Sequence, residues 1–358
     1  MRNLIKKFIP ERFIKQLRKK REQFQLFFIK LFSKNEFLSS IYYCFFSKSF
    51  YRQHQSVLLG RLNYLRDLGN TGESSVLLRR NIHRIEKGLI MEPRRDVFAE
   101  SYIEETINCY VKSITTCNIE DQEIKWATDV LDEYFQAIQL DKSVLISRLY
   151  DTYLSHRASV PGCDSLEKST PYQFKHRIRS KVSFEELTRL FEQRRSVRWY
   201  EKRVVEIELI EKAINIASLA PSACNRQPFQ FHLATGTQAQ EIASYAMGTS
   251  GFSHNIPALI VVTGDLSSYP FERDRNVIYI DAALATMQLM LAFETLGLST
   301  CPINWPDIEV RELKMQSRLG LRKDERPVLL LSIGYGKVDG KIPFSQKKNS
   351  ELLLKLID

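Results

Sequence analysis

The sequence predicts two structural classes in one chain: an α-helical N-terminal region and an α+β C-terminal half. Three observations carry this. From Ser74 to Leu140 apolar residues recur at helical spacing. Short apolar runs suited to strands, Phe229–Ala234, Ala258–Thr263 and Pro327–Gly334, occur only in the second half, where helix-like stretches interrupt them. Between the halves the period disappears, and Pro161, Gly162, Pro171 and several Ser and Thr collect.

These observations give four expected segments: a basic amphipathic helical arm over 1–50, a helical region over 51–155, a linker over 156–180 and a mixed domain over 181–358. Within the helical region the period predicts Ser74–Ile90, Val97–Ser113 and Glu120–Leu140. The breaks fall at Gly69–Gly72 and Met91-Glu92-Pro93, and Gly88 reads as a helix cap. In the second half, Phe184–Gln193 and Glu206–Ala220 have helical patterns. Asp281–Leu296 is apolar nearly all round and ends at Gly297, so it needs burial on most of its sides.

A chain of 358 residues, 44% hydrophobic and 26% charged, is long enough for two cores. Its net charge of +10 is localised. Residues 1–50 hold 12 Lys and Arg against 3 Asp and Glu, whereas the rest holds 40 against 39. Basicity confined to one end argues against a nucleic-acid groove. The longest uncharged run in that end, Phe37–Ser47, is too short to span a bilayer, which needs ~20 apolar residues. No signal peptide is evident. Two readings stay open: a helix with Phe13, Leu17, Phe24, Phe27 and Phe28 lying on an anionic membrane surface, or an arm packed on the protein or a partner subunit. Six cysteines without C-x-x-C or His clustering point to reduced thiols and a cytoplasmic setting, and on the membrane reading of residues 1–50 the location is the inner face of the membrane.

Two strings carry chemistry. Arg194-Arg195-Ser196-Val197-Arg198 concentrates donors for an anionic group, and the planar arginine fork suits phosphate. Ala220-Pro221-Ser222-Ala223-Cys224-Asn225-Arg226-Gln227-Pro228-Phe229 joins a helix to a strand through a loop stiffened by two prolines. It presents amide side chains able to donate and accept. Two later blocks follow: Asp281-Ala282-Ala283 with its apolar helix, and Ile333-Gly334-Tyr335-Gly336-Lys337 with the basic stretch Lys341–Lys348.

These four blocks, in this order over residues 180–358, resemble the nitroreductase family. The resemblance implies an α+β nitroreductase-like fold, a central mostly antiparallel sheet flanked by helices, with FMN bound at the interface of a homodimer. It places Arg194, Arg195, Ser196 and Arg198 at the FMN phosphate and ribityl chain. Pro221, Ser222, Ala223, Asn225 and Gln227 would lie against the flavin, commonly that of the other subunit. Pro302, Ile303 and Asn304 would pass beside the ring, and Lys347 would return to the phosphate, where arginine is frequent in the family. The flavin carries the redox chemistry, so no nucleophile, triad or metal is required of the protein. NAD(P)H is implied as electron donor. The acceptor would be a quinone, enone, nitro compound or surface-glycan metabolite, because long N-terminal extensions resemble those of relatives associated with bacterial surface-polysaccharide synthesis. Two alternatives remain: a flavin-binding but idle module recruited by the basic N-terminus, and a nicotinamide-independent member such as a peptide-ring oxidase or flavin-degrading enzyme.

In the helical region His83, Glu86 and Lys87 share one helix face. A single H-x-x-E is not a metal site. The polar face reads either as a salt-bridged surface or, with Arg80, His83 and Lys87, as a lid or substrate clamp over the flavin. His254, in a loop, is a further substrate-facing candidate. Cys224 and Cys301 lack an evident base and are read as small buried residues.

Overall fold

A computed structural model describes residues 11–67, 73–116, 119–158, 160 and 167–357. Cys117, Cys163, the expected break at Gly69–Gly72, the Pro161-Gly162 pair and the side chains of Phe13 and Leu17 lie outside the described residues. The chain divides into two compact units, Met1–Ser56 and Val57–Asp358.

The first unit contains α1 (Glu11–Phe32) and α2 (Glu36–Ile41), the latter prolonged by one π-helical turn, Tyr42–Phe46. Asn35 caps α2, its side chain accepting from Leu38 N–H at 2.9 Å. Helix α3 (Tyr51–Asp67) begins in this unit and continues into the second.

The second unit opens with a bundle of α4 (Val76–Leu89), α5 (Ile103–Thr116), α6 (Asp121–Ala137) and α7 (Val144–Arg157). The helical period in the sequence is the buried face: Leu78, Ile82, Ile85, Ile107, Tyr110, Leu131 and Tyr134 form its core. Helix α5 starts later than the period suggests, because Ala99 takes a left-handed φ of 69° ahead of it. Gly88 is not a cap. It lies inside α4, where a Cβ would sit 2.2 Å from the Phe98 ring, so its role is close packing.

The C-terminal domain places α8 (Phe184–Gln193) and α9 (Ile207–Ala217) before a four-stranded sheet: β1 (Phe229–Thr235), β2 (Ala258–Asp265), β3 (Ser299–Asn304) and β4 (Glu325–Gly334). The strand order is β1-β2-β4-β3 and every pairing is antiparallel. Interspersed are α10 (Gly236–Ala243), α11 (Val277–Thr295), α12 (Glu309–Leu319) and a short α13 (Ser350–Leu353). The pleat sorts β2 by alternation: Ala258, Ile260 and Val262 pack with α9 and α11, whereas Leu259 and Val261 pack with Ala239, Ile242 and Met315 of α10 and α12. Helices therefore cover both faces of β2, which explains its uninterrupted apolar run.

Helix α11 ends as its sequence indicates, with Gly297 at φ 78° just past the cap. Its burial is less complete than its composition implies. One side, Ile278, Asp281, Ala282, Ala285, Leu289 and Phe293, is buried, but Ile280, Ala283 and Leu284 stay exposed in the single chain. The α4–α7 bundle and the C-terminal domain lie in the same compact unit, and α4 packs directly against the turn at Ala223–Asn225.

Candidate functional site

The arginine block leaves α8 and runs beside β3. Ser196 bridges Thr300 in parallel, and Val197 N–H donates to the Thr300 carbonyl at 3.0 Å. The next residues pair with the chain after β4: Glu201 N–H donates to Tyr335 O at 2.8 Å and Lys337 N–H to Trp199 O at 2.9 Å. Asn255 holds the Arg198 carbonyl at 2.9 Å, and the Arg198 guanidinium lies 5.8 Å from the Phe252 ring centre. His254 is exposed here, edge-to-face with Trp199 at 6.1 Å.

Two buried polar atoms in this corner, Arg194 Nε and Thr300 Oγ1, have no hydrogen-bond partner among the described residues. A buried donor without an acceptor is costly unless something else supplies one. The neighbouring Cys301 is buried, which pushes its thiol pKa up despite Arg198, Ser196 and Arg194 close by. It is therefore poorly suited to act as a thiolate.

Arg195 also anchors the C-terminal tail: its Nη2 donates to the Pro343 carbonyl at 2.9 Å and to that of Phe344. Lys347 is exposed three residues further on. The basic tail thus returns to the arginine block within one chain. On β3, Pro302 and Asn304 point outward while Ile303 turns into the core with Trp305 and Met315, so the Ile303 side chain cannot reach a ligand on the outer face.

The loop after α9 is built around three non-glycine residues in left-handed backbone: Cys224 (φ 53°), Asn225 (φ 52°) and Gln227 (φ 49°). Such residues persist only where surroundings hold them. Asp281 accepts the Ala223 N–H and the Tyr269 hydroxyl, both at 3.0 Å. Ser222 Oγ accepts the Gln227 N–H at 3.1 Å, and Gln227 Nε2 donates to Ser218 O at 2.6 Å. The remaining anchor comes from α4. Arg79 donates from Nε to Asn225 O and from Nη2 to Gln227 Oε1, each at 2.9 Å, and from Nη1 to Glu123 Oε2 at 3.0 Å. Glu123 is buried and also accepts from the Ser74 hydroxyl and the Ser75 N–H at the start of α4.

Sequence spacing selects Arg80, His83 and Lys87 from α4; the hydrogen bonds described between α4 and this loop come from Arg79. Arg80 donates to the Tyr64 hydroxyl at 3.1 Å, His83 pairs with Glu86 at 3.1 Å, and Lys87 is exposed. All these residues lie on one polar face, and only the packing of α4 on the loop singles out Arg79. Burial of Arg84, whose guanidinium lies 3.6 Å from the Tyr102 ring centre, lowers its pKa. Groups of His, Cys, Asp and Glu able to hold a metal ion are absent among the described residues.

The two blocks are not brought together in one chain. The loop meets α11 at Asp281, and Gln193, the residue immediately before the arginine block, donates to Glu294 of α11 at 3.1 Å. That separation is about 20 Å along the helix at the standard rise. The blocks also flank opposite edges of the sheet, β1 and β3, roughly 19 Å apart when the bridged segment at Ser196 is included.

Comparison with known proteins decides the relationship. The model of the nitroreductase family matches residues 191–250 and 237–335. A candidate NADH dehydrogenase/NAD(P)H nitroreductase of Archaeoglobus fulgidus is 32% identical over 158 residues, covering 43% of this chain and 87% of that protein. The chain belongs to the nitroreductase family. Iodotyrosine deiodinase of Daphnia pulex is 26% identical over 197 residues, 46% of this chain and 63% of that enzyme. Among solved structures, a candidate nitroreductase of Desulfovibrio desulfuricans in complex with FMN covers 48% of this chain and 96% of its own, with 19% identity and a TM-score of 0.41. The nitroreductase domain occupies the C-terminal half, and the α4–α7 bundle lies outside the matched residues.

Proposed function

We propose that this nitroreductase-family oxidoreductase binds FMN and works with NAD(P)H and a small electrophilic acceptor: a quinone, an enone, a nitro compound or a surface-glycan metabolite. The observation that carries the cofactor reading is the corner at β3. There a buried Arg194 Nε and a buried Thr300 Oγ1 lack partners beside Arg198 and Ser196. An FMN phosphate supplies acceptors of the kind these donors lack. Arg194, Ser196 and Arg198 would hold it. Arg195 would act by fixing the tail that brings Lys347 near, with Pro302 and Asn304 on the outer face of β3 beside the ring. Bound FMN supplies two-electron transfer between donor and acceptor.

The second block, Pro221, Ser222, Ala223, Asn225 and Gln227, would serve the site of a second copy. Its distance from the arginine block within one chain supports this reading, as does the uncovered apolar strip Ile280, Ala283 and Leu284 on α11. A homodimer would cover that strip and complete two sites.

The test is an absorbance spectrum of the purified protein before and after anaerobic NADH and NADPH. Flavin bands that bleach support the enzyme and select the donor. Flavin that stays oxidised favours an idle module or a nicotinamide-independent enzyme. Colourless protein that takes up no added FMN removes the cofactor reading altogether.

A further inference from the structure

Among its described residues the first compact unit exposes a dense set of large apolar side chains. The end of α1 is held against the π-helical turn by a ladder of rings. Phe24 meets Phe28 at 4.8 Å, Phe28 meets Phe32 at 5.9 Å, and Phe32 meets Phe46 at 5.3 Å. Around this ladder Phe24 is 65% exposed, Phe27 61%, Phe37 73% and Phe45 76%. Leu26, Ile29 and Leu31 are exposed beside them. The same unit presents Lys15, Lys19, Lys20, Arg21, Lys30, Lys34 and Lys48 to solvent. Residues 1–50 contribute +9 of the chain's net +10.

We propose that residues 11–50 bind the surface of an anionic lipid bilayer, with Phe24, Phe27, Phe37 and Phe45 entering the headgroup–acyl boundary and the lysines and arginines contacting lipid phosphates. Large exposed aromatics next to excess positive charge match the two terms of interfacial binding, apolar burial and attraction to anionic lipid. Charge makes α1 itself unsuited to span the bilayer: it has 22 residues, but Lys19, Lys20, Arg21 and Glu22 occupy its middle. The inference uses the first unit only and does not depend on the flavin reading.

The experiment is co-sedimentation of the full-length protein with vesicles of phosphatidylcholine alone or mixed equally with phosphatidylglycerol, at low and high salt. The expected result is binding to the mixed vesicles at least about tenfold stronger than to neutral ones, weakened by salt. Phe37→Ser with Phe45→Ser changes two exposed side chains and should lower binding to mixed vesicles at least about tenfold. Lys19→Glu with Lys20→Glu should abolish the preference for anionic lipid. Equal binding to both vesicle types, binding to neither, or unchanged binding by the Phe variant would overturn the proposal. It would also fall if light scattering showed that the Phe variant dissociates an oligomer of the wild-type protein, because a second copy would then be covering the patch.

Discussion

Replacing Arg79 by alanine removes one guanidinium that holds three groups: the Asn225 carbonyl, the Gln227 side chain and the Glu123 carboxylate. The largest consequence falls on Glu123. Its side chain is 2% exposed and would keep only the Ser74 hydroxyl and the Ser75 N–H as donors. Breaking a buried ion pair from one side typically costs about 3–5 kcal/mol, because the other charge stays buried. A pocket of about 650 Å³ lined by Glu123, Trp126 and Asn225 lets water reach the vacated position, which favours the lower end. Arg79→Ala should therefore destabilise the second unit by about 3 kcal/mol in urea unfolding, a large share of a typical domain's ~5–15 kcal/mol. Arg79→Ala and Glu123→Gln together should cost less than the sum of the two single changes, with a coupling of at least about 1 kcal/mol. FMN affinity should fall at least about tenfold as the loop loses two anchors. A loss in Arg79→Ala below about 0.5 kcal/mol, or strictly additive single changes, would refute the claim that this pair ties the bundle to the loop.

Other outcomes follow from the same geometry. Arg194→Ala should weaken FMN binding by about 10- to 100-fold, as expected for loss of a charge-assisted hydrogen bond, measured by quenching of flavin fluorescence. At Cys224, where φ is 53°, Cys224→Val should destabilise by about 1 kcal/mol or more because a β-branched residue resists left-handed backbone. Cys224→Gly should be tolerated, and thermal melts would show the contrast. Burial raises the Asp281 pKa, outweighing the Ala223 N–H, the Tyr269 hydroxyl and Arg226. The native state then holds this proton to higher pH than the unfolded chain does, so stability is lost as pH rises from the ordinary carboxylate range through the raised folded value. Asp281→Asn removes that titration. Its stability relative to wild type should rise with pH across this window, and unfolding at a series of pH values checks it.

The sequence was informative where a local rule coincided with the environment. The strands Phe229–Ala234, Ala258–Thr263 and Pro327–Gly334 sit inside β1, β2 and β4: the first alternates aromatic and polar residues, and the other two are largely β-branched or aliphatic runs beside turn residues. Gly297 stops α11 because only glycine enters that left-handed position without cost. Strand β3 was not legible as a strand. Pro302 interrupts its pattern, which is tolerated because β3 ends the strand order and its outer side carries, among the described residues, only the isolated bridge at Thr300.

By itself, then, the sequence determined the class of each half, the blocks that mark the nitroreductase family and the concentration of positive charge at one end. Each is a property of residue order or local conformation. Only the tertiary structure decided that the arginine block and the Pro221–Gln227 loop sit far apart in one chain, since strand order is set by long-range pairing. It alone singled out Arg79 over Arg80, His83 and Lys87, because these residues share a helix face and the partners of Arg79 lie more than forty residues away in sequence. It also showed that α11 leaves an apolar strip uncovered, as burial depends on what packs against a helix and not on the helix's own composition.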